Sequence, residues 1–329
     1  MRAADIHMRV GAIDIGSNSI RLLVADVSPE GNGNDLVTVA RAGEPCRLAR
    51  GLDQTGKVDA EMAERAASLA AEFVRRARSL GAGYTVAGAT AALRRASNGA
   101  DVAALIGART GVPVRILSGE EEARLVYQAV VSGLGGSARR SACIVFDLGG
   151  GSTEIVSGMG PEVGRWASLP FGAVNLTERF ISSNPLSESE MEAIDREVAS
   201  QLMHECTYMP EQAPLLAGVG GTVTVLASLD RGLTAYDPAM IEGWLIRSAR
   251  LEELTDRVAR STDRDREGWV VMGRGRSDIV VAGALVIRRL ASRFRSNGLL
   301  CSTHGLRYGI ARLAAAEWSR PTGEGPPRG

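Results

Sequence analysis

Asp14 and Asp147 each end an apolar run, and each is followed by a cluster of glycines and small hydroxyl residues. The stretches are IDIGSNSIRLLVAD from Ile13 to Asp26 and FDLGGGSTEIVSG from Phe146 to Gly158. In register, Asp14 falls on Asp147, Gly16 on Gly149, Ser19 on Ser152 and Leu22 on Ile155. A glycine-rich turn leaves successive backbone N–H groups unhindered, and such groups form a concave seat for phosphate oxygens. The first turn offers Asp14, Gly16, Ser17, Asn18 and Ser19 as candidates, and the second offers Gly149, Gly150, Gly151 and Ser152. A third turn, Gly220-Gly221-Thr222 in AGVGGTVTVLA, leads from a strand into a helix-like run and presents N–H groups to a further phosphate or a nucleotide sugar. Carboxylates complete the set. SGEEEARL places Glu120, Glu121 and Glu122 at a helix start, where the helix dipole favours their charge and their mutual repulsion raises at least one pKa. That combination suits a group that takes or steers a proton from water. Glu120 reads as a cap residue beside Ser118, and one of Glu121 and Glu122 as the functional group. Asp147 and Glu154, seven residues apart across a hairpin turn, can face one another and hold a hydrated Mg²⁺, which takes one or two carboxylates plus phosphate oxygens.

The elements that must carry these residues follow from the patterning. IRLLVADV is aliphatic and β-branched, so each glycine turn joins a strand to a strand. A P-loop or a dinucleotide-binding fingerprint requires a helix directly after the glycines, so both are disfavoured. Asp59 to Gly81 reads as a capped amphipathic helix, YTVAGAT and VPVRILS as strands, and SGEEEARLVYQAVVSGL as a strand end followed by a helix. The second half repeats the logic with a hairpin, the helix SESEMEAIDREVASQLMHE and the strand PLLAGVGGT; helices are expected from there to about Trp318. Alternating strands and helices in both halves predict α/β architecture with buried mixed sheets. The domains are expected at residues 1–132 and 133–318, with a hinge near Ser132–Ser141 and a disordered tail at 319–329. Duplicated halves facing each other place the two turns across one cleft.

The bulk properties bound the class. A chain of 329 residues, 45% hydrophobic and 23% charged, suits a two-domain globular protein. Cys46, Cys143, Cys206 and Cys301 lie far apart without C-x-x-C spacing and read as reduced thiols. No apolar run reaches the length of a membrane span, and the first residues lack a signal-peptide core, so a cytoplasmic protein without membrane or nucleic-acid partners is expected. Net charge is zero and Lys57 is the only lysine. A polyphosphate ligand therefore needs a local arginine groove. His7, His204 and His304 are isolated and read as no ligand set.

Taken in order, IDIGSNSIRL, AGATAALRRA, ILSGEEEARL, FDLGGGSTEI, LPFGAVNLTERF, GVGGTVTVLA, YDP and RSDIVVAGALV before HGLRYGI resemble the exopolyphosphatase/guanosine pentaphosphatase (Ppx/GppA) family. The matches span roughly residues 9 to 312. The resemblance implies two duplicated actin-like (ribonuclease H-like) domains with mixed sheets flanked by helices and a cleft between them. It implies hydrolysis of terminal phosphate from inorganic polyphosphate or guanosine pentaphosphate, with Mg²⁺ or Mn²⁺ as cofactor; a homodimer is compatible with it. Glu122 then corresponds to the residue that positions the attacking water, with Glu121 as its neighbour. Asp147 and Glu154 correspond to the acidic pair near metal and nucleophile, and Arg94 to a cleft-facing arginine that holds the phosphate together with the two glycine turns. Tyr308 stands where the family often has Glu, and Glu242 where it often has His. The competing readings are a small-molecule kinase of the same superfamily and a non-catalytic sensor of guanosine tetra- or pentaphosphate or polyphosphate.

Overall fold

The computed structural model describes residues 8–27, 36–136, 138–272 and 276–318. The expected disordered tail and Ser137 of the expected hinge lie outside these residues. The first half contains β1 (Met8–Ile15), β2 (Ser19–Val27), β3 (Leu36–Pro45), α1 (Leu52–Thr55), α2 (Ala60–Ser79), β4 (Tyr84–Ala89), α3 (Ala91–Arg95), α4 (Gly99–Thr110), β5 (Val114–Ile116) and α5 (Gly119–Leu134). The second contains β6 (Ala142–Leu148), β7 (Thr153–Met159), β8 (Glu162–Leu169), α6 (Ala173–Phe180), α7 (Glu188–Glu205), β9 (Leu215–Gly220), α8 (Gly221–Asp230), α9 (Pro238–Ile241) and β10 (Leu245–Arg247). It continues with α10 (Ser248–Arg260), α11 (Asp263–Glu267), α12 (Val280–Arg293), β11 (Gly298–Cys301) and α13 (Leu306–Trp318). Among the described residues no helix is long and apolar enough to cross a membrane.

The first sheet runs β3-β2-β1-β4-β5 and the second β10-β11-β9-β6-β7-β8. In each, a hairpin strand pairs antiparallel with the strand carrying the aspartate, which pairs parallel on its other side with β4 or β9. This is the duplicated actin-like arrangement of mixed sheets flanked by helices. The second sheet adds β10 and β11, two short strands in a stretch where the sequence predicts helix alone. They exist because β11 pairs with β9 and β10 pairs with β11, long-range partners that no local pattern announces.

Side-chain alternation sorts the strand residues into separate cores. Ile13, Ile15, Leu22 and Val24 pack under α2 and α4 on the outer face of the first sheet. Ile144, Phe146, Ile155 and Leu216 pack under α7, α8, α10 and α12 on the outer face of the second. Val10, Ala12, Leu23, Cys143, Val145 and Val219 feed a middle layer built around α5 and α13. Burial on both faces explains why these strands read as near-continuous apolar runs. In that middle layer α5 packs against β6, β7 and β8, whereas α13 packs against β1, β2 and β4. Each half thus lends its last helix to the other.

Candidate functional site

Asp14 follows Val10 and Ala12 in the period of two, and Asp147 follows Cys143 and Val145, so both aspartates face the middle layer. Cross-strand register brings a partner to each. Asp14 pairs with Arg21, and Asp147 pairs with Glu154. The cleft is therefore the open end of the middle layer, where the strands stop and the helices α5 and α13 begin. Its inner cavity is lined by Asp14, Gly16–Ser19, Glu122, Asp147, Gly149, Gly150, Ser152, Gly221 and Thr222, together with Arg21, Thr90 and Arg276.

The turns present their donors to this cavity because their carbonyls are tied back. The Asn18 carbonyl accepts from the N–H groups of Cys46 at 2.8 Å and Arg47 at 2.9 Å, and the Ser17 carbonyl from Ala49 at 3.0 Å. In the second copy, the start of α6 does the same work: Gly149 accepts from Ala173 at 2.9 Å and Gly150 from Val174 at 2.9 Å. Among the described residues the N–H groups of Ser17, Asn18, Gly150 and Gly151 meet no backbone acceptor. The two turns also touch. A Cβ on Gly150 would stand 3.2 Å from the Cβ atoms of Ser17 and Asn18, and one on Gly151 2.9 Å from Ser17 Oγ. Only glycine permits this approach. Gly220 has φ +123°, and a Cβ there would stand 2.5 Å from the Leu148 carbonyl, so it lets β9 pass directly into α8.

Three adjacent glutamates at the start of α5 go three ways. Ser118 Oγ accepts from the Glu121 N–H at 3.1 Å while a Glu121 carboxylate oxygen accepts from the Ser118 N–H at 2.9 Å, a reciprocal capping box. Glu121 also pairs with Arg115. The structure therefore places the candidate Glu121 at the cap, on the exposed side of the helix and outside the cavity lining. Glu120 pairs with Arg124 at 3.1 Å. Glu122 points inward and is buried at 5% exposure. Arg94 Nη1 donates to Glu122 Oε2 at 2.8 Å and to the Leu117 carbonyl at 2.9 Å, and Arg94 Nη2 lies 3.7 Å from Glu154 Oε1. Glu154 also accepts from the Ser168 hydroxyl at 2.9 Å. Arg94 and Glu154 thus sit behind the cavity wall, with the guanidinium forked between two carboxylates; the expected phosphate contact of Arg94 and metal contact of Glu154 give way to these internal partners, because both side chains point away from the cavity lining.

Burial raises the proton affinity of the whole acidic cluster. Glu122 is held well above the usual carboxylate range by burial and then by Glu154, against the pull of Arg94. Asp147 is pushed up to about 7 by burial, with Glu154 and Asp14 adding to it and Arg21 opposing. Asp14 and Glu154 are raised by burial as well. A carboxylate poised near neutrality is able to exchange a proton during turnover.

Beyond Asp147 the cleft widens into an outer cavity that includes Arg21, Arg41, Arg276, Arg307, Tyr236 and Val270 in its lining. Sequence reasoning missed these arginines. For Arg21 a signal exists, since two-residue alternation from Leu23 puts it on the cleft face opposite Asp14. Arg276 and Arg307 lie within quoted motifs, but in an arginine-rich chain only the fold singles them out. Arg276 packs so closely on the start of α8 that a Cβ on Gly221 would meet its guanidinium carbon at 3.2 Å.

Comparison with known proteins adds an independent line. The sequence model of the Ppx/GppA phosphatase family matches residues 24–314. Exopolyphosphatase 2 of Mycobacterium tuberculosis is 34% identical over 313 residues, 92% of this chain and 97% of that protein. Exopolyphosphatase 1 of Mycobacterium bovis is 33% identical over 286 residues, 85% of this chain and 80% of that protein. Among solved structures, the Aquifex aeolicus member of the Ppx/GppA protein family matches with a TM-score of 0.80 at 27% identity, covering 95% of this chain and 99% of that one.

Proposed function

The chain belongs to the Ppx/GppA phosphatase family, and from that premise we propose that it releases terminal orthophosphate from inorganic polyphosphate. The observation that carries this reading is the meeting of two donor-lined turns over one inward-pointing glutamate, Glu122, with four arginines lining the way out. The terminal phosphate sits between Gly16–Ser19 and Gly149–Ser152, whose N–H groups take its non-bridging oxygens. Glu122 takes a proton from water, the water oxygen attacks phosphorus in line, and the bridging P–O bond breaks. The products are orthophosphate and a chain one unit shorter. In such a loose transition state, charge spreads over the oxygens, so positioned donors supply much of the catalysis. Guanosine pentaphosphate ends in the same anhydride, and Tyr236 and the exposed Val270 give the outer cavity an apolar wall suited to a nucleoside. We propose it as a second substrate. Phosphate release from polyphosphate, guanosine pentaphosphate and ATP with Mg²⁺ tests the assignment; tight binding without release would make the protein a sensor.

The donor set fits a divalent cation completed by substrate oxygens. Asp147 lines the cavity, and Asp14 is close enough to raise its proton affinity, a repulsion that a cation relieves. Glu154, bonded to Ser168 and Arg94, supports Asp147 from its register position. Mg²⁺ or Mn²⁺ held there would neutralise charge on the phosphate oxygens. Asp147→Asn is expected to raise the metal concentration needed for half activity by about tenfold or more. Full activity of the parent protein in excess chelator would refute the metal role.

Arg94 acts as a positioning residue. Its guanidinium is the main group opposing the upward shift at Glu122. With Arg94→Gln, the pH at which activity rises should move upward, because the base must lose its proton without help from a neighbouring cation. A pH–rate profile with an unmoved acidic limb would contradict this role.

A further inference from the structure

Four guanidinium groups, from Arg21, Arg41, Arg276 and Arg307, line the outer cavity. Among the described residues none of the four forms an ion pair, whereas Arg9, Arg109, Arg124, Arg179 and Arg250 each reach a carboxylate. Burial and mutual repulsion both act against their charge. Arg276 is driven down to about 10 by burial and by Arg21, and Arg307 is lowered by burial and by Arg21. The carboxylates in the lining are Asp147 at the inner end and the exposed Glu44 at the rim. Like charges gathered this closely, with Asp147 and Asp14 near Arg21 as counter-charges only at the inner end, favour an anion at the outer end.

Arg41, on β3, is the least satisfied of the group. Its Nε and Nη1 atoms are buried without an acceptor, and Nη2 reaches only Thr38 Oγ1 at 3.4 Å. Its guanidinium lies over the Tyr308 ring at 5.4 Å, and Arg307 flanks the same ring at 5.9 Å. Tyr308 is itself fixed, fully buried, stacked on His304 at 4.0 Å and bonded through its hydroxyl to Thr38 at 3.1 Å. A rigid aromatic platform therefore holds two cations at one side of the cavity and supplies no negative charge to either. Arg21 and Arg276 border both cavities, whereas Arg41 borders only the outer one.

We propose that the outer cavity is the subsite for the trailing phosphates of a long chain, and that Arg41 is the residue that converts chain length into affinity. The inference rests on the polyphosphate reading above and extends it with an exit path across β3. A short chain seated on the two turns does not reach Arg41. A long one passes Arg21 and Arg276 and then supplies the phosphate oxygens that the Arg41 guanidinium lacks.

The test is equilibrium binding of tripolyphosphate and of polyphosphate several tens of units long to the parent protein, Arg41→Gln and Arg41→Lys. Arg41→Gln removes one charge-assisted hydrogen-bonding group from the far end of the bound chain, which should weaken long-chain binding by about tenfold. Tripolyphosphate affinity should stay within about twofold, and Arg41→Lys should recover much of the long-chain affinity, because the point charge remains. Equal losses for both ligands, or no loss for the long one, would overturn the proposal. Because binding needs no turnover, absence of hydrolysis would count against the proposed reaction alone, and the length dependence would still be measured. Circular dichroism and melting of Arg41→Gln separate a binding defect from a folding defect; a general collapse would leave Arg41→Lys as the deciding variant.

Discussion

Glu122→Gln is expected to fold and to bind polyphosphate nearly as well as the parent, yet turn it over about a hundredfold more slowly or worse, the usual scale for losing a general base. The amide has almost the same shape, and it can still accept from Arg94 through its oxygen, so the local packing survives. What it loses is the ability to take a proton. Glu122 is buried, with Arg94 at 2.8 Å and Glu154 beyond, while the other carboxylates of the cavity, Asp14 and Asp147, sit at the ends of β1 and β6, where they would hold the proposed cation. Glu121→Gln provides the contrast. It weakens a capping box and a surface ion pair, which costs about 1 kcal/mol of stability and little rate. Steady-state kinetics with both variants decides the matter: an unchanged turnover number in Glu122→Gln would remove that residue from the mechanism.

The second large effect concerns the number of phosphates. Chains of three or more units should bind at least about a hundredfold more tightly than orthophosphate, since engagement of one turn makes the second contact effectively intramolecular. The contact between Ser17–Asn18 and Gly150–Gly151 means that both turns can act on one ligand. Closure is further fastened by Arg47 Nη2 on Asp278 Oδ2 at 3.1 Å and by Arg95 Nη1 on the Gly151 carbonyl at 3.4 Å, each spanning the cleft. We expect small-angle scattering to report compaction when a non-hydrolysable oligophosphate is added. Gly151→Val would wedge the turns apart and should abolish both the compaction and the length preference. Equal affinities for one phosphate and for many, with no change in size, would show that the turns serve separate ligands.

The parts of the molecule legible in the sequence are the ones with local causes. The paired glycine turns, the aspartates closing β1 and β6 and the cap of α2 at Asp59 depend on neighbours a few positions away, and the structure has them where the sequence predicts. The choice between Glu121 and Glu122 was also available in principle. Ser118 three positions before Glu121 is a capping-box spacing, which commits Glu121 to the backbone and leaves Glu122 for the cleft. The arginines of the outer cavity had no such signal, because Arg41, Arg276 and Arg307 come from three distant elements. The same holds for β10 and β11, whose strand character comes from pairing at the edge of a sheet. Nor does anything in the pattern of α5 or α13 say which sheet each will cover, since an apolar stripe does not name its partner.

That exchange of helices governs how the protein can be made. A ribosome releases β1 and β2 early, yet the helix that covers their inner face lies almost three hundred residues further along the chain. Until Tyr308, Ile310, Ala311 and Ala314 arrive, Val10, Ala12, Leu23 and Ala25 have no permanent cover. A chain cut after residue 132 would keep this bare face and also carry α5 without the second sheet it is shaped to meet. Split expression of the halves should therefore give soluble, ordered material only when both are present together. The first half is therefore expected to wait for α13, whose docking joins β1 and β2 to a helix almost three hundred residues further along the chain.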